Sequence, residues 1–172
     1  DGSQLNVVGE KSALIQADGD IVEADGQTRL SFDIPGGEYY IMISHRNHLG
    51  VLTADAYILD NCNVPSIDLT TDLNLVNGGS NGIKTMNNNY IALFAGDCNG
   101  DGQIQNIDRV EVIDILGGSG LSDGDIDMNG QIQNIDLNLK LIPNLGKGFQ
   151  SNVSGRNANT GIDLKLYAKK RN

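Results

Sequence analysis

Positive charge is scarce in this chain: 12 Lys and Arg stand against 22 Asp and Glu, leaving a net charge of −10. That balance argues against nucleic acid and against an anionic membrane surface, both of which are gripped by clustered cations. No apolar run is long enough to form a membrane-spanning helix. Catalytic signatures are missing too, with no nucleophile elbow, phosphate loop or matched acid–base pair, so a non-enzymatic role is expected. Only two histidines are present, His45 and His48. They form an H-x-x-H pair without the Glu and further spacing of a zinc helix. On one strand, positions three apart face opposite ways, so a structural role beside Arg46 and Asn47 is expected. With two cysteines, Cys62 and Cys98, at most one intrachain disulfide is available, and that bond is the expectation. The chain starts at Asp1 with no Met and no signal-like segment, which fits a processed, exported protein.

What the chain does have is a twelve-residue pattern that occurs twice, 28 positions apart. Residues 97–108 read DCNGDGQIQNID and residues 125–136 read DIDMNGQIQNID. Oxygen-bearing side chains stand at positions 1, 3 and 5, a Gly at 6 and an Asp at 12, which is the ligand spacing of an EF-hand calcium loop. Calcium takes about 6–8 oxygens, so the chain has to wrap around a small sphere. In the first loop Asp97, Asn99, Asp101, the carbonyl of Gln103 and Asp108 are the expected ligands. In the second they are Asp125, Asp127, Asn129, the carbonyl of Gln131 and Asp136. Gln105 and Gln133 occupy position 9, where a ligand often acts through water. Two bound calcium ions would bring −10 to about −6, so part of the acidity is a metal requirement. Millimolar calcium outside the cell suits loops of this kind.

Each loop leads into a short amphipathic run. Ile107, Val110, Ile113 and Leu116 recur at three-residue steps until Gly117-Gly118. Ile135, Leu139 and Ile142 share a face until Pro143. These two faces are expected to bury each other. With Asp at position 12 and no long helix before either loop, the duplicated unit at residues 96–145 resembles the dockerin family. That resemblance implies a two-calcium loop–helix unit. It also implies, as an alternative function, docking onto a cohesin-like receptor through Asn106, Arg109, Val110, Asn134, Leu137 and Asn138.

The first 95 residues alternate as strands do. Leu30, Phe32 and Ile34, then Tyr39, Ile41 and Ile43, then Ile67, Leu69, Thr71, Leu73 and Leu75 recur at every second position between Gly-containing turns. The expected fold is mainly β, an antiparallel sandwich, with residues 1–95 as its body and 96–147 as a small calcium-binding α appendage. The segments SALIQADGDIVEADG (12–26) and YYIMISHRNHLGVLTA (39–54) look like a β-domain of large secreted and cell-surface bacterial proteins. This second resemblance implies an extracellular, adhesive or structural setting. Within the first segment Asp18, Asp20 and Asp25 could hold an extra calcium, although a solvated hairpin is the plainer reading.

Past a polar linker (148–160), Ile162, Leu164, Leu166 and Ala168 alternate strictly with polar residues. The resembling domains carry an apolar strand ahead of the SALxQ segment that this chain lacks, so this last strand is expected to take its place. It could fold back into its own sheet or insert into a neighbouring subunit. Insertion of the second kind is β-augmentation and builds a homopolymer with no enzyme in it. An adhesin domain is a further alternative.

Overall fold

A computed structural model describes residues 6–16, 18–60, 65–87, 89–148 and 162–168. The described residues are mainly strand, and every named pairing is antiparallel. In chain order the strands are β1 (Val7–Ile15), β2 (Ile21–Val22), β3 (Gly37–His45), β4 (His48–Leu52), β5 (Tyr57–Leu59), β6 (Ile83–Thr85), β7 (Ile91–Leu93) and β8 (Ile162–Ala168). One sheet runs β2-β1-β8-β3-β4, with β5 added beside β3, and β6-β7 form a separate hairpin. The last of the described strands, β8, therefore lies inside the main sheet, paired to β1 on one side and to β3 on the other.

Strand alternation dictates which residues meet. Tyr39, Ile41 and Ile43 stand opposite Ala168, Leu166 and Leu164, and this face packs with Ala13. Leu30, Phe32, Ile34, Tyr57, Leu59 and Ile67 cover it. The 30–34 stretch does its expected packing without forming a strand among the described elements. Residues 67–75, read as a strand from their alternation, instead turn and end in a 3-10 turn at Leu73–Leu75. The cause is local. Asp68 accepts the Thr70 amide at 2.8 Å and Asp72 accepts the Asn74 amide at 2.9 Å, bonds that compete with a strand ladder.

The opposite face carries Tyr40, Met42 and Tyr167. Met42, Leu49, Leu52 and Tyr167 pack in one core with Ile104, Val112, Ile126, Ile132, Leu137 and Leu141 from the 96–145 region. The loop–helix unit is thus a layer on the sheet and shares its core. Lys165 also points to this side, buried, and pairs with Glu10 on β1 at 3.3 Å. A slip of one residue would move Lys165 to the apolar face, so this ion pair helps to fix the register of β8.

β1 passes close to β8 and to the residues that cover it. A Cβ built on Gly9 would lie 3.1 Å from Phe32 Cδ1 and 3.8 Å from Leu166 Cδ1. Gly9→Val is expected to destabilise by about 1–3 kcal/mol through overpacking, read as a lower denaturant midpoint in calcium-containing buffer.

Candidate metal centre

The twelve-residue loops fold alike. Gly102 has φ +86° and Gly130 φ +85°, backbone that a side chain at position 6 would strain. At position 12, Asp108 Oδ1 accepts the amides of Cys98 (2.8 Å) and Asn99 (3.2 Å), and its Oδ2 accepts that of Gln105 (2.8 Å). Asp136 repeats this with Ile126 (2.8 Å), Asp127 (3.0 Å) and Gln133 (2.8 Å). Position 1 is equally matched: Asp97 accepts from Gly102 at 3.2 Å and Asp125 from Gly130 at 3.0 Å. Both position-12 carboxylates are wholly buried. Each loop therefore turns its position-1 and position-12 carboxylates inward, and backbone amides hold them there.

The two loops are clamped reciprocally. The chain after the first helix, α1 (Asn106–Asp114), bonds to the second loop: Gly117 N donates to Ile132 O and Ile132 N to Gly118 O, both at 2.9 Å. The chain after the second helix returns to the first loop: Gly146 N donates to Ile104 O at 2.9 Å and Ile104 N to Lys147 O at 2.8 Å. The end of each helix is thus bonded to the other loop.

In the second loop Asp125, Asp127 and Asp136 each offer a carboxylate oxygen, and these oxygens all lie within 4.8 Å of one another. Three like charges this close, two of them buried, fit a divalent cation, which could be held there. Asn129 and Gln131 occupy the exposed side of that loop. In the first loop Asp97 and Asp108 are buried, Asn99 is half-buried, and Asp101 and Gln103 are exposed. The position-9 amides turn toward position 7, Gln105 donating to Gln103 and Gln133 to Gln131.

The helices are rotated away from the expected arrangement. Ile107, Val110, Ile113, Leu116, Ile135, Leu139 and Ile142 are exposed, whereas Val112, Leu137 and Leu141 are buried. Their phase is set by the position-12 carboxylates. Asp108 must face the loop, so Val112, one turn later, shares its buried side. The second helix is a π-helical run, Asp136–Leu141, whose wider turn brings Leu141 over Asp136. Of the residues expected to meet a receptor, Asn106, Arg109, Val110, Asn134 and Asn138 are exposed and Leu137 is buried.

Sequence reading gave Arg46 and Asn47 only a hydrogen-bonding part at a strand end. Here they form the two-residue turn between β3 and β4, and that turn reaches the second loop and the residue just before the first. Asn47, fully buried, accepts the Gly96 amide at 2.8 Å and donates through Nδ2 to Asp125 O at 2.7 Å. The available clue was the H-R-N-H run itself, a polar block within apolar strands. His45 and His48 lie across the turn from each other rather than on opposite faces, with Nδ1 atoms 3.0 Å apart. Burial, with the neighbouring charges of His45, Arg46 and Lys140, pushes His48 down to about 3. Unfolding frees this ring to take a proton below its ordinary value of about 6.5, so stability is complete above that pH and falls as the pH drops toward 3. Between pH 6.5 and 5 the unfolding free energy is expected to decline, and His48→Gln should flatten that slope in denaturant titrations.

The candidate extra site is not assembled as a cluster. Asp18 accepts the Asp20 amide at 3.2 Å, and Asp25 caps its own turn through Thr28 and Gln27. The Thr28 hydroxyl and amide hold the Asp25 carboxyl below its usual range. Cys98, at position 2 of the first loop, is buried, while Cys62 lies outside the described residues, as do residues 149–160 of the linker. In β8, Leu164 and Leu166 are buried and Ala168 is half-buried. Ile162 joins the ladder opposite His45. No helix among the described residues is long and apolar enough to cross a membrane. Comparison with known proteins returns no matching family model, no matching curated protein and no matching solved structure.

Proposed function

We propose that this chain is a non-enzymatic, calcium-stabilised structural subunit of a secreted, extracellular fibre. Copies join head to tail when β8 of one inserts between β1 and β3 of the next. The observation that carries this reading is the place of β8, reached last of the described strands yet lying inside the sheet between β1 and β3. A strand taken from a neighbour would make the same two ladders and bury the same Leu164 and Leu166, so exchange costs no contact. The sheet, covered on both faces, is the sandwich-like body of the subunit.

Calcium would be held by Asp97, Asn99, Asp101, the Gln103 carbonyl and Asp108 in the first loop. In the second it would be held by Asp125, Asp127, Asn129, the Gln131 carbonyl and Asp136. Its chemistry there is charge neutralisation and oxygen ligation of groups too close to remain unpaired. The shared core carries that rigidity into the sheet through Leu137, Leu141 and Tyr167.

Electron microscopy of the pure chain in millimolar calcium, beside a version lacking residues 161–172, tests the reading. Filaments that vanish with the truncation support it, and monomers in both samples count against it. One observation favours a second reading, docking onto a protein receptor: Ile107, Val110 and Ile113 of α1 lie in the open. A docking module stays monomeric until its receptor is added.

A further inference from the structure

The second loop has a cation beside it already. Arg46 Nη2 lies 3.7 Å from Asp125 Oδ2, and both residues are buried. Its Nη1 is buried with no hydrogen-bond partner, so the guanidinium is held in place without having its donors satisfied. At 3.7 Å the contact is an ion pair rather than a hydrogen bond, and it does little to orient Asp125. Asp125 is already oriented by the amides of Asn129 and Gly130, both at 3.0 Å. Arg46 therefore acts on the loop as charge.

We infer that Arg46 is a built-in counter-cation that weakens calcium binding at the second loop and ties the occupancy of that loop to the β3–β4 turn. The inference rests on the calcium reading of the loops. Three carboxylates gathered within 4.8 Å repel one another when no metal is present. A fixed guanidinium offsets part of that repulsion and so keeps the loop formed. The same positive charge opposes an arriving divalent ion, and it also draws on the Asp125 carboxylate that the ion needs. Any coupling is reciprocal: whatever Arg46 does to calcium, calcium does to Arg46. Arg46 sits in a two-residue turn, and its neighbour Asn47 bonds to Asp125 O as well, so the turn has to register the change. That turn adjoins the end of β3 where His45 faces Ile162, the first residue of β8. Occupancy of the second loop is in this way read at the point where the exchanged strand enters the sheet.

The test uses the whole chain carrying Asp108→Ala, which leaves the second loop as its competent calcium site. Calcium titration calorimetry is run with and without Arg46→Met, with circular dichroism as the fold check. Arg46→Met is expected to tighten calcium binding about tenfold. Unchanged or weaker binding by a folded variant overturns the inference and leaves the calcium reading intact. No heat from either chain overturns the calcium reading and the inference with it. Should Arg46→Met not fold, hydrogen exchange on the Asp108→Ala chain decides. Calcium should change protection at residues 45–49 there, and much less in an Asp136→Ala chain, where the first loop alone binds. Equal changes in the two chains overturn the inference.

Discussion

Replacing Asp136 with alanine is expected to remove one bound calcium and to destabilise the protein by at least about 3 kcal/mol even in chelator. The carboxylate is wholly buried and accepts three backbone amides, from Ile126, Asp127 and Gln133. Alanine leaves those donors without an acceptor, each costing about 1–3 kcal/mol, although the costs do not add fully. In calcium the loss is greater, because a ligand at 100 times its dissociation constant contributes about 2.7 kcal/mol per site. The damage also spreads. The second loop is bonded to the chain after α1, and Leu137 and Leu141 reach the shared core. Asp108→Ala should behave the same way at the first loop. Calorimetric stoichiometry and denaturant unfolding, each with and without chelator, check both variants. An unchanged calcium count in either one removes the assignment of its loop.

Leu166→Asp is expected to expel β8 from the sheet. Leu166 is 1% exposed, pairs with Ile41 on one side and Gly9 on the other, and packs with Ala13, Tyr39 and Leu164. Leu166→Ala there should cost about 2–5 kcal/mol through the cavity it leaves. An unpaired carboxylate costs more, and the sheet avoids it by letting the strand go. The remainder then has β1 and β3 facing an open slot, the state in which it should accept an added peptide spanning residues 160–172. Val8→Asp, on the exposed side of β1, is the control and should leave stability nearly unchanged. Unfolding curves and peptide titration by fluorescence anisotropy measure both effects.

Much of this was legible because the twelve-residue loops are local. Gly102, Gly130 and the carboxylates at positions 1 and 12 follow from spacing alone, since the chain must turn at one place and close at another. Strict alternation likewise placed Leu164, Leu166 and Ala168 on one face of β8. The helix faces were not legible by periodicity. Ile107, Val110 and Ile113 form a good apolar stripe, but the loop geometry fixes Asp108 inward and turns that stripe outward. The π-helical turn of Asp136–Leu141 has no signal in apolar spacing. Residues 67–75 misled for the opposite reason, because Asp68 and Asp72 bind nearby amides and break an alternation that looked like a strand. The bond from Asn47 to the second loop joins residues 78 positions apart, which no local pattern encodes.

The central claim, strand exchange between copies, is tested most directly by a covalent trap. Glu10 and Lys165 are partners across β1 and β8, close enough as cysteines to form a disulfide. The double variant Glu10→Cys with Lys165→Cys, in a background where Cys62 and Cys98 are serine, is assembled in calcium and oxidised. It is then run on a denaturing gel without reductant. A ladder of covalent multimers that collapses on reduction is the predicted result, because the two cysteines of each bond then belong to different copies. A single oxidised monomer band would place β8 in its own sheet and contradict the account.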